Sequence, residues 1–75
     1  MEISYKKLWK LLIDRDMNKK DLREGCGIST SSMAKLARGQ NVNTTILVKI
    51  CGFLRCDISD ICEIVFDDET NQNIF

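Results

Sequence analysis

The sequence predicts a single all-α domain of five short helices. Three observations lead there. Proline is absent, so nothing breaks a helical run. Apolar residues recur three and four apart in successive stretches of the chain. Cap-forming residues stand ahead of those stretches (Ser4, Asn18, Ser29, Asn43, Asp57), and Gly27 and Gly39 stand behind two of them. A core in 75 residues is marginal, and 44% hydrophobic residues is enough to build one.

The first helix spans about residues 5–16, with Ser4 as its cap. Tyr5, Leu8, Trp9, Leu11, Leu12 and Ile13 cover an arc of roughly 200°, wider than the usual single stripe. Either this helix packs on two sides, or Tyr5, Trp9 and Ile13 supply a homodimer contact together with the C-terminal helix. Asn18 caps the second helix, 19–26, which Met17 and Leu22 anchor inward. Gly25 loosens it near its end. Gly27 fits a left-handed helix ending, which glycine adopts without steric cost.

Ile28 turns inward and Ser29 caps the third helix, 30–38. Met33, Leu36 and Ala37 form its buried edge, and Gly39 ends it. A polar loop, Gln40-Asn41-Val42-Asn43, leads to the fourth helix, 44–54, capped by Asn43 or Thr44. Its apolar face is Ile46, Leu47, Ile50, Cys51, Phe53 and Leu54. Gly52 inside it costs up to about 1 kcal/mol against alanine, and marks either a close helix approach or a mild weakness in the helix. Asp57 or Ser59 caps the fifth helix, 58–64. The domain is expected to fill 1–66, with 67–75 a flexible acidic tail.

The net charge of zero hides an asymmetry. Residues 1–40 carry nine basic and five acidic side chains, and residues 41–75 carry two and six. A net +4 half followed by a net −4 half points to a basic binding face and an acidic remainder. The four cysteines, Cys26, Cys51, Cys56 and Cys62, form no CxxC pair, and there is no histidine. They read as buried thiols in a reducing compartment, with no zinc-ligand spacing. Cys56, beside Arg55, is the one candidate for a reactive thiol. No signal peptide or long apolar run is visible, so a cytoplasmic location is expected. Histidine, a phosphate-binding glycine loop and a carboxylate pair are all missing from the pattern, so no enzyme, cofactor, metal or small-molecule substrate is expected.

The segment Met17–Gly39 reads as two helices joined by a tight turn at Gly27-Ile28-Ser29. With Met17, Leu22, Cys26, Gly27, Ile28, Ser29, Met33, Leu36 and Gly39 in place, and the apolar run 46–54 and DISDI at 57–61 behind them, the chain resembles the lambda-repressor-like (Xre/Cro-type) helix-turn-helix family. The likeness covers about residues 5–65. The chain also resembles the small stand-alone members found in resistance operons and mobile elements. Two positions depart from the pattern. Arg23 stands where a small residue is usual, its aliphatic stem free to lie along the contact, and Leu12 stands where an arginine is frequent.

The resemblance implies double-stranded DNA as partner, a regulatory role in transcription, and a homodimer. It places Thr30, Ser31, Ser32 and Lys35 on the floor of the major groove. It places Asn18, Lys19, Ser29, Arg38, Asn41 and Thr44 against phosphates. Hydroxyls and one lysine form a weakly coded face, because bidentate readout needs arginine, asparagine or glutamine. The other class kept open is a protein-interaction or antitoxin-like module on the same scaffold, favoured by the zero net charge and the broad apolar arc of the first helix.

Overall fold

The computed structural model of the chain describes residues 1–66. Its elements are β1 (Glu2–Ser4), α1 (Lys6–Asp14), α2 (Lys19–Cys26), α3 (Thr30–Ala37), α4 (Thr44–Leu54), a 3₁₀ turn (Ile58–Asp60) and β2 (Glu63–Val65). Among the described residues, four α-helices and a two-stranded sheet stand in place of the five helices expected of an all-α fold. The acidic segment expected as a tail lies outside the described residues.

The two corrections at the ends share a cause. β1 and β2 pair antiparallel, with Ile3 opposite Ile64, so the start and the end of the described chain are joined. Ser4 is then a strand residue rather than a cap. The N-cap of α1 is Tyr5, which makes no side-chain cap bond, and Ser4 Oγ accepts weakly from the Lys6 N–H at 3.4 Å. At the other end Asp57, rather than Ser59, is the cap and closes a capping box with Asp60, but only one turn of 3₁₀ helix follows. Ile61 and Cys62 fill the core, and the chain straightens into β2.

The remaining helices start where their caps stand. Asn18 accepts from the Asp21 N–H at 2.8 Å, and the Asp21 carboxylate accepts from the Asn18 N–H at 3.0 Å, a complete capping box. Ser29 accepts from the Ser32 N–H, and Asn43, not Thr44, accepts from the Ile46 N–H. Gly27 ends α2 at φ 71° and Gly39 follows α3 at φ 72°.

The core is one cluster. Leu8, Leu22, Leu36, Ile50, Leu54 and Ile61 are sealed from solvent, with Tyr5, Leu12, Ile28, Met33, Leu47 and Cys62 around them. In the wide arc of α1, Tyr5, Leu8 and Leu12 join the common core, and the 3₁₀ turn packs against the helix. Its last apolar residue, Ile13, is left 73% exposed. Ala37 is exposed rather than buried, and Ala34 is half-buried in its place.

The glycine expectations exchange places. A Cβ on Gly52 would meet nothing within 4 Å, so no close approach exists there. A Cβ on Gly25 would lie within 2.7 Å of three Phe53 ring atoms. The close approach is between α2 and α4, and Gly25 is what allows it.

Candidate nucleic-acid interface

The surface around α3 is assembled by four local devices. Gly27 reverses the chain after α2, where the Gly27 and Ile28 N–H groups both donate to the Arg23 carbonyl at 3.0 and 3.3 Å. Ile28 drops into the core and fixes the depth of the turn. Ser29 caps α3. Tyr5 is buried, and its hydroxyl donates to the Gln40 carbonyl at 2.9 Å, tying the loop after α3 to the start of α1. Burial pushes the Tyr5 hydroxyl up from its ordinary range, so it stays a donor at neutral pH.

On α3, Met33 and Leu36 face inward. At about 100° per residue, Ser31 and Arg38 point directly away from them, with Ala34 and Lys35 on either side and Thr30 at the leading edge. Thr30, Ser31, Lys35 and Arg38 are all exposed. Ser32 is not part of this face. It is half-buried, its N–H and hydroxyl both bonded to Ser29 Oγ at 3.1 and 3.0 Å. Ser29 also shares a 3.1 Å hydrogen bond with Ser31 Oγ. The hydroxyls at the head of α3 thus form a small cluster around Ser29, with Ser31 at its outer rim.

Of the expected phosphate contacts, Ser29 stands at the head of α3 with its hydroxyl engaged by Ser31 and Ser32, and the other five fall into two groups. Asn18 and Lys19 stand at the start of α2. The Asn18 carbonyl oxygen is committed to the cap, which leaves its side-chain NH₂ as the donor available to an anion. Lys19 carries its ammonium 4.8 Å over the Trp9 ring, a cation–π contact that joins α1 to α2. Arg38, Asn41 and Thr44 are exposed on the far side of α3, around the loop into α4. The role of Trp9 was missed by sequence reasoning, which treated it as core or dimer surface. Its i, i+10 relation to Lys19 crosses a turn and has no helical periodicity to betray it.

The expected dimer surface is altered. Tyr5 is buried, and the C-terminal helix is absent among the described residues. Trp9 and Ile13 instead line a shallow groove with Leu12 and Met17, beside Asn18 and Lys19. Ile64, Val65 and Phe66 are exposed on and after β2.

Two packed helices that bury Leu22 and Leu36 in one core, a left-handed glycine between them and an exposed polar face on the second form a helix-turn-helix. A family model described as the Cro/C1-type HTH DNA-binding domain matches residues 7–67. The chain belongs to the Cro/C1-type helix-turn-helix family. It is similar to a solved structure, the crystal structure of transcriptional regulator VanUg, Form II, with 53% identity, 88% of each chain covered and a TM-score of 0.85. No curated protein matches the chain. This Cro/C1-type chain therefore carries a DNA-binding domain, similar over most of its length to a transcriptional regulator. Among its described residues, no helix is long and apolar enough to cross a membrane. No cluster of three or more His, Cys, Asp or Glu side chains there is placed to hold a metal.

Proposed function

We propose that the chain regulates transcription by seating α3 in the major groove of double-stranded DNA. The observation that carries this is the exposed face Thr30, Ser31, Lys35 and Arg38, held on a core-anchored helix in a Cro/C1-type domain. Thr30 and Ser31 exchange hydrogen bonds with base edges, and Lys35 reaches guanine O6 and N7. Ser32 supports this face through Ser29 rather than reading bases. Asn18 and Lys19 meet the phosphates on one side of the groove; Arg38, Asn41 and Thr44 meet them on the other. Phosphate neutralisation supplies most of the affinity and sets the register. With few bidentate readers, base discrimination is modest and DNA shape contributes.

Two copies acting together reach two half-sites about 34 Å apart. The Trp9–Ile13 groove abuts Asn18 and Lys19, the end of α2 that meets phosphate, so a partner there competes with DNA. The β2 edge, with Ile64, Val65 and Phe66 exposed, is a second apolar surface open to another copy, and its Val65 lines a groove with Trp9 and Arg38.

The test is fluorescence anisotropy of labelled operator-region duplexes across a salt series, followed by footprinting. Affinity should fall steeply with salt, and the footprint should be symmetric. Salt-independent binding would point to the protein-interaction module instead.

A further inference from the structure

The end of α4 carries two cysteines that the DNA-facing surface does not use. The helix closes on Arg55 in the left-handed conformation, φ 57°. The Cys56 N–H then donates back to the Cys51 carbonyl at 3.1 Å. In this helix ending, the two residues so paired bring their side chains together. Both are half-buried, and both line one open groove of about 610 Å³ with Val48, Gly52, Arg55 and Ile58. The neighbouring Cys56 is one cause of the raised Cys51 thiol. Cys62, by contrast, is buried with its thiol directed at the Ile58 carbonyl, and Cys26 lies at the end of α2.

We propose that Cys51 and Cys56 are an oxidisable dithiol, which closes to an intramolecular disulfide on meeting a low-molecular-weight disulfide. The Cys56 thiol loses its proton and attacks one sulfur of that reagent, breaking its S–S bond and releasing one thiolate. The Cys51 thiol then loses its proton, attacks the Cys56 sulfur of the mixed disulfide and releases the second thiolate. The two protons reprotonate the released thiolates. The protein dithiol loses two electrons, and the reagent disulfide gains them. Burial, then the neighbouring Cys56, push the Cys51 thiol up to about 11, so Cys56 attacks first and Cys51 resolves. The bridge spans the left-handed turn at Arg55 and clamps the end of the helix that carries Phe53 to Gly25.

The full chain, reduced and then incubated with oxidised glutathione, tests this. The product should be a monomer lighter by two hydrogen atoms, with two of its four thiols protected from alkylation. Cleavage after lysine and arginine, and before aspartate, separates Cys56 from Cys62. It should release segment 50–55 joined to Cys56. Cys51→Ala should stop at the glutathione adduct on Cys56. Four thiols still open to alkylation would overturn the proposal. So would a bridge to Cys26 or Cys62, or the same two-hydrogen loss in Cys51→Ala. The mapping of the unsubstituted chain stands even if that variant does not fold.

Discussion

Gly25→Ala should destabilise the native chain and stabilise a chain that lacks the Phe53 ring. In α2, alanine is favoured over glycine by up to about 1 kcal/mol, and by roughly half that near the helix end. Against this stands the Phe53 ring, whose far edge occupies the space the new methyl needs. Gly25 is backbone held by α2, so the ring is what gives way. Phe53 is 40% exposed, and its burial is therefore worth about 1–2 kcal/mol of the roughly 1.5–3 kcal/mol for a fully buried phenylalanine. Swinging it into water forfeits most of that. Gly25→Ala should then cost about 0.5–1 kcal/mol net, a fall in Tm of about 2–8 °C for a domain of this size. In a Phe53→Ala background the obstruction is gone, and the same substitution should add about 0.5 kcal/mol. Thermal or urea unfolding of the four chains completes a double-mutant cycle, with a coupling of about 1–1.5 kcal/mol expected. Equal effects of Gly25→Ala in both backgrounds would refute the reasoning, because the ring would then not be seated on Gly25.

Lys35→Ala should change which operator bases are preferred, whereas Lys19→Ala should weaken all sites alike and lower the salt slope by about 1, both read by anisotropy on variant duplexes. Trp9 is the only tryptophan, so its emission should change when phosphate draws the Lys19 ammonium off the ring, and Lys19→Ala should abolish most of that change. Arg55→Gly should raise stability more than Asp16→Gly in urea unfolding, because both positions are left-handed and aspartate tolerates that region better than arginine. Stability should fall as pH rises through the range from 9 to about 11: Cys51 is raised from 9.0 to about 11 by burial, so the unfolded chain loses that proton first, and Tyr5, Cys26 and Cys62 shift in the same direction.

The middle of the chain was legible because its signals are local. Asn18, Ser29 and Asn43 each bond an amide three residues on, and Gly27 and Gly39 need only their own backbone angles. The ends were not legible for the same reason in reverse. EIS and EIV are three-residue strands with no readable period, and they exist through pairing across some sixty residues of chain. That pairing takes Ser4 from its expected cap and straightens the chain beyond Ile61. Gly25 and Gly52 look alike in sequence, each a helical glycine. Only the contact of α2 with α4 decides which one faces a ring. Ser32 leaves the expected reading face because its N–H and hydroxyl bond Ser29 Oγ at the turn.

Each α-helix among the described residues is followed by a residue with positive φ, and the residues used differ by position. Asp16 follows α1 and Arg55 ends α4, each at a cost of about 1 kcal/mol or more in backbone strain. Gly27 and Gly39, which carry no such cost, bracket α3 on both sides. The helix proposed to read DNA therefore enters and leaves through unstrained turns. Its orientation is set by Ile28, Met33 and Leu36 in the core, with no opposing strain to relieve when it docks. The strained turn at Arg55 lies at the other end of the molecule's helical run, in the six-residue span between Cys51 and Cys56. A bond across that span acts on a turn that already stores strain, and it leaves the turns flanking α3 untouched. Oxidation should therefore alter the stability of α4 more than the base preference of α3, a separation that urea unfolding and anisotropy on the oxidised chain can measure side by side.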